Sequence, residues 1–145
     1  MVKNDFKTPN NAIVYIDNCD PRKVLEYSYN FNMSIDKDNQ PCGIIRGGKL
    51  TVKLDAITKG EKDNEILDWM LNREPKKVRI FVNRLVGGPD LIMKELVFEG
   101  AYCIDYKENW KDLRESKGDS ANTEEIQIAW KEFKWGGCTY KNAWS

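Results

Sequence analysis

The stretch Lys94–Trp110, KELVFEGAYCIDYKENW, constrains this chain more than any other. Leu96, Phe98, Tyr102, Ile104 and Tyr106 fall on even positions, with Gly100 as the one gap, while Glu95, Glu99, Asp105 and Lys107 fall on odd ones. Side chains alternate between the two faces of an extended chain, so a period of two over this length predicts a strand with its even-numbered face buried. It is either one long antiparallel strand or two strands joined by a bend at Gly100. Nothing in it carries chemistry. The stretch is scaffold.

The same period recurs along the chain. Ala12–Ile16 predicts a short strand, followed by a turn over Asp17–Pro21 whose Asp and Asn side chains satisfy their own backbone. Val24–Ile35 predicts a long strand with Leu25, Tyr27, Tyr29, Phe31, Met33 and Ile35 on one face. Its other face is polar, and Asn30, Asn32 and Ser34 are candidates to line a lumen or an outer surface. Asp36–Gly48 predicts a loop, with Pro41 and three glycines. The Ile44–Ile45 pair inside it points to contact with another subunit or with the chain's own core.

Lys49–Ile57 gives Leu50, Val52, Leu54 and Ala56 on one strand face. Lys77–Val86 gives Val78, Ile80 and Val82 inward and Phe81 outward, before a turn at Gly87–Asp90. Glu124–Trp135 puts Ile126, Ile128 and Trp130 on one face, then Phe133 and Trp135 on the other, a change that predicts a bulge. Asn64–Asn72 is the one convincing helix, with Ile66, Trp69 and Met70 on a stripe, Asp63 or Asn64 to cap it and Pro75 to stop it. Trp69 is read as core. Trp110–Thr123 is a polar, charge-mixed loop, and Trp144 near the end is a candidate anchor on this chain or on a neighbour.

These elements predict a mainly β domain of six or seven strands. The architecture is a small antiparallel β-barrel or two-sheet sandwich with one short flanking helix. Residues 1–11 are polar and predict a flexible N-terminal segment, leaving 12–145 as a single domain.

Charge and composition narrow the function. Basic and acidic residues both number 23, so the chain has no broad electrostatic footprint for nucleic acid or an anionic membrane. Lys76, Lys77 and Arg79 form only a small basic patch, read as a solvated strand face. No stretch is long and apolar enough to insert in a bilayer as a helix. The absence of histidine removes His-based triads and His-containing zinc sites. Cys19, Cys42, Cys103 and Cys138 show no paired spacing, and without an apolar leader they are expected to be reduced thiols in a cytoplasmic chain. Cys103 is read as a structural rather than a reactive thiol. There is no glycine-rich phosphate loop and no metal-ligand motif, while Asp105, Glu108 and Asp112 look like surface positions. No catalytic, cofactor-binding or metal-binding residue is therefore assigned.

The ordered set ILDWMLN, a KxxRIFV-type strand, MKELVFEGAYCIDYKENW, EEIQIAW and a terminus in NAW resembles the Hcp-type (TssD) tube proteins of Bacteroidota type VI secretion systems. The resemblance covers roughly Tyr27–Trp144 and is most specific over Met93–Trp110. It implies a barrel similar to phage tail tubes, assembled as rings of six that stack into a hollow tube. A sheath would surround this tube, a spike would tip it, and effector proteins would travel in its lumen. It also implies a mechanical role without an active site, with assembly in the cytoplasm and export through the injection apparatus. The N-terminal strands, Asp112–Thr123 and GGCTYKNAW depart from the family pattern. They leave a second reading, a paralogue that forms rings or carries cargo without polymerising. Two other classes stand beside these. A small-molecule-binding barrel would need Tyr27–Phe31 to line a cavity, and a hydrolase would need two convergent carboxylates.

Overall fold

In a computed structural model of the chain, the described residues are 11–55, 64–85, 91–112 and 122–144. The expectations for residues 1–10, Ala56–Ile57, the Asp63 cap, the Gly87–Asp90 turn and most of the 112–123 segment lie outside them. Six strands close into a barrel: β1 (Asn11–Ile16), β2 (Arg22–Ser28), β5 (Leu50–Asp55), β8 (Asn122–Ala129), β7 (Leu91–Trp110) and β6 (Lys76–Leu85), which returns to β1. Every neighbouring pair is antiparallel. Two short strands, β9 (Glu132–Trp135) and β10 (Cys138–Lys141), extend the sheet beyond β7. The remaining two, β3 (Phe31–Ile35) and β4 (Pro41–Gly47), pair only with each other.

The 20-residue strand β7 joins the two halves of the barrel. Residues up to Ala101 pair with β6, and residues from Tyr102 onward pair with β8. The even-face prediction holds for Leu96 and Phe98, which are buried. It fails beyond Gly100, where Ala101 and Cys103 turn inward and Ile104 is exposed. Gly100 adopts φ +61°, a left-handed conformation that L side chains resist, and β7 carries one residue more than β6 at this bulge. One extra residue reverses the alternation. A second irregularity between Cys103 and Asp105 reverses it again, turning the half-buried Tyr106 back toward the core.

Bulges and breaks correct the other long strands in the same way. An extra residue at Leu25 throws that side chain outward while Val24 stays buried. The expected strand Val24–Ile35 is interrupted at Tyr29–Asn30, so that β2 belongs to the barrel and β3 leaves it. The expected change of face in Glu124–Trp135 is a true break at Trp130–Lys131 between β8 and β9, and both Trp130 and Phe133 are buried.

Inside the barrel Val14, Leu50, Leu54, Ile80, Leu96 and Ile126 are almost wholly removed from water. These side chains fill the space that a ligand-binding barrel would leave open. Helix α1 (Glu65–Asn72) covers the core with Ile66 and Trp69. Burying an indole removes on the order of 200 Å² from water, worth about 5 kcal/mol, and its Nε1–H donates to the Glu74 carbonyl at 2.7 Å. Eight residues are too few to hold a helix alone. Asn64 occupies the N-cap position but its side chain makes no capping bond, so tertiary burial holds the helix. Arg73 in the left-handed conformation ends it, two residues before Pro75.

Candidate assembly surface

The segment expected to be a loop, Asp36–Gly48, is the turn and second strand of a hairpin that stands off the barrel. Every residue of β3 is exposed, as are all of β4 but Gly47. The arm nevertheless carries Met33, Ile35, Ile44 and Ile45, with Ile35 and Ile44 exposed by 60% and 59%. The register shift between Asn32 and Ser34 spans the β4 residues Gly43, Ile44 and Ile45, and Gly43 takes φ +78° there. This irregularity hid the strand, because its residues do not alternate.

The root of the arm is built from aromatic rings. Phe31 packs edge-on against Trp130, Phe133 and Tyr140 at 5.2–5.6 Å between ring centroids, and Tyr29 meets Phe98 and Phe133. These rings pack against one another over the end of the barrel, and Tyr29 and Phe31 also border a shallow surface hollow of about 280 Å³ with Phe133, Trp135 and Tyr140. The C-terminal tail holds the arm in place. The Tyr140 hydroxyl donates to the Ile45 carbonyl. Asn142 accepts from the Gly47 N–H at 3.2 Å and donates to the Trp130 carbonyl at 2.8 Å. A Cβ on Gly47 would collide with the Trp130 ring, so only glycine lets the strand pass there. Beside this root lies a groove of about 550 Å³ bordered by Arg46, Lys49, Trp130, Tyr140, Asn142 and Trp144.

A polar network holds the opposite margin of the wall. Arg22 on β2 is ion-paired with Glu124 on β8, and both side chains are nearly inaccessible to solvent. Arg22 also donates twice to the Asp55 carbonyl on β5, at 2.9 and 3.3 Å. The Tyr106 hydroxyl on β7 donates to the other Glu124 oxygen. One guanidinium and one carboxylate thus join four consecutive strands. Burial, followed by that hydrogen bond to Glu124, pushes the Tyr106 hydroxyl well above its ordinary pKa and keeps it a donor.

The sequence matches the family model of the hemolysin coregulated protein Hcp (TssD) over residues 10–145. The chain belongs to the Hcp family. It is thereby a structural subunit of the type VI secretion class, with the ring- and tube-forming barrel of that family. Among solved structures, Hcp1 from Flavobacterium johnsoniae superposes with a TM-score of 0.75 at 24% identity, covering 91% of this chain and 99% of that one. An Hcp protein crystal structure gives 0.72 at 11%, covering 94% and 98%. Hcp1 from Escherichia coli EAEC 042 gives 0.66 at 8%, covering 94% and 99%. At these identities the likeness is one of fold. No functionally curated protein matches the sequence significantly.

The structure scatters the residues that sequence reading weighed for chemistry. Asp105 and Glu108 are exposed on β7 and Asp112 lies just beyond it. Lys76 bonds the Asp17 carbonyl and pairs with Glu74, while Arg79 lies over the Tyr15 and Phe81 rings, so the basic patch is engaged locally. Among the described residues no group of three or more Cys, Asp or Glu converges as a metal site. Cys103 is buried, and desolvation pushes its thiol up to about 11. Trp144 packs on Tyr102 of its own chain at 6.1 Å while staying 42% exposed. Asn30, Asn32 and Ser34 are all exposed at the root and on β3 of the arm. Sequence reading missed the Asn142 clamp and the Arg22–Glu124–Tyr106 network, since their members are far apart in the chain and carry no motif.

Proposed function

We propose that this chain is the ring-forming subunit of the inner tube of a type VI secretion system of the Bacteroidota kind. Copies close into a ring of six, and rings stack into a tube that a sheath surrounds and a spike tips. The observation that carries this reading is the arm. An isolated two-stranded hairpin is marginal in water, yet this one presents Met33, Ile35, Ile44 and Ile45 to solvent. A projection that differs from the surface receiving it makes head-to-tail contacts, and those close into rings when the rotation between copies allows. The Bacteroidota assignment is supported by the residue order of Met93–Trp110 and by 24% identity to the Flavobacterium protein, against 8–12% for four other structures named as Hcp.

In this reading the work is mechanical. The polar positions Asn30, Asn32 and Ser34 face a lumen or the ring exterior, effector proteins ride in the lumen, and the chain assembles in the cytoplasm before export through the apparatus. Negative-stain microscopy of the purified protein tests it. Rings with a central hole are expected, and a strict monomer at high concentration would refute it. Rings that never stack would assign the chain instead to a non-polymerising carrier paralogue.

A further inference from the structure

The arm has two chemically distinct ends. At its tip Asp36 and Asp38 are exposed, flanking Lys37. The tip is ordered by its own bonds: one Asp36 carboxylate oxygen accepts from the backbone N–H of Asp38 at 2.8 Å and of Gln40 at 3.0 Å. The Asp36 N–H donates to the Gln40 carbonyl, and the Asn39 N–H donates to the Asp36 carbonyl. A tip already held in shape loses little freedom on binding.

The root groove carries the opposite charge. Arg46 and Lys49 border it, and among the described residues no carboxylate does. Lys49 bonds the neutral Gln127 amide at 2.9 Å, so neither cation has an anionic partner among the described residues. Trp130 and Trp144 supply its apolar wall. The groove suits a short acidic segment that also brings apolar surface. The ladder from Phe31 to Ile35 holds the tip roughly 13 Å beyond the root at about 3.3 Å per residue, so a tip cannot enter its own groove.

We propose that the Asp36–Gln40 tip of one copy seats in the arm-root groove of the next, with Asp36 and Asp38 facing Arg46 and Lys49. This rests on the assembly reading above and names its contact. Each copy offers one tip and one groove, so the contact propagates from subunit to subunit. It also covers the apolar flanks of the arm, which are exposed in the single chain.

The test is made on the full chain. Cys42 lies two residues past the tip and is exposed, so in a Cys138→Ser background an Ala143→Cys variant places a partner thiol in the groove. Diamide oxidation should then give Cys42-dependent intermolecular ladders on non-reducing gels, lost when Cys42 is replaced by serine. Separately, Arg46→Glu with Lys49→Glu should weaken association about tenfold, as should Asp38→Lys, and combining them should recover most of the loss. Far-ultraviolet circular dichroism checks that each variant is folded. Intact rings with neither cross-link nor charge effect would overturn this contact while leaving the ring reading standing. A wild-type chain that stays monomeric would overturn both.

Discussion

Replacing Arg22 by Met would leave the Glu124 carboxylate inside the barrel wall with the Tyr106 hydroxyl as its remaining partner. Side-chain exposures of 2% and 3% leave the pair almost unscreened by solvent. Removing one member of such a pair costs about 3–5 kcal/mol, because the survivor's desolvation is no longer compensated. The Tyr106 bond to the charged oxygen offsets part of this, so a net loss of about 3 kcal/mol is expected. In a domain of this size each kcal/mol moves Tm by roughly 3–4 °C, giving a fall of about 10 °C. Replacing Arg22 by Met together with Glu124 by Leu removes both charges and should lie within about 1.5 kcal/mol of wild type. The assay is urea denaturation at one fixed, low protein concentration, since assembly adds a concentration-dependent contribution. The slope against urea should be unchanged across the three proteins. A single variant losing less than about 1 kcal/mol, or a double variant as unstable as the single, would refute the claim that this pair joins the wall.

Three further outcomes follow from the geometry. Asn142→Ala should release the arm at its root, costing about 1–2 kcal/mol and accelerating amide exchange over residues 41–47, while exchange at barrel positions such as Leu50 and Ile80 stays slow. Ellman's reagent should titrate the exposed Cys42 and Cys138 quickly and Cys19 more slowly, its thiol raised chiefly by burial, whereas Cys103 should react only on unfolding. Cys103 and Tyr106 both have pKa values raised by folding, so their contribution is complete below the ordinary values of 9.0 and 10.0 and fades as the pH climbs past them. Between pH 9 and about 11, the wild type should therefore lose Tm more steeply than a Cys103→Ala, Tyr106→Phe variant, and parallel curves would contradict this.

The sequence displayed the barrel wherever side chains alternate without interruption. Leu50, Val52 and Leu54, and Val78, Ile80 and Val82, lie on the expected faces because no extra residue falls among them. Tyr102 and Ile104 do not, since the bulge at Gly100 inserts one residue and periodicity cannot say which strand absorbs it. The arm was hidden for the same reason, as Gly43–Ile45 belong to a strand whose register slips. Arg22 and Glu124 stand 102 residues apart, and nothing local to either marks a buried ion pair. The apolar pair Ile44–Ile45 was the visible sign of an assembly surface. What it lacked was the backbone that makes a loop into a lever.

The closure of the barrel by β8 also governs the order in which the chain can become a protein. β8 lies between β5 and β7, and it is encoded at residues 122–129 of 145. During synthesis every other barrel strand, β7 last among them, emerges before β8, so a nascent chain holds two unpaired barrel edges, on β5 and β7, until β8 leaves the ribosome. Pairing β5 with β8 joins residues such as Leu50 and Ile128, far apart in sequence, and such contacts form late because a long loop must close first. The chain is then most open to edge-to-edge aggregation just before β8 closes the barrel. A truncation just short of β8 removes not a decorative end but the event that makes the barrel fold.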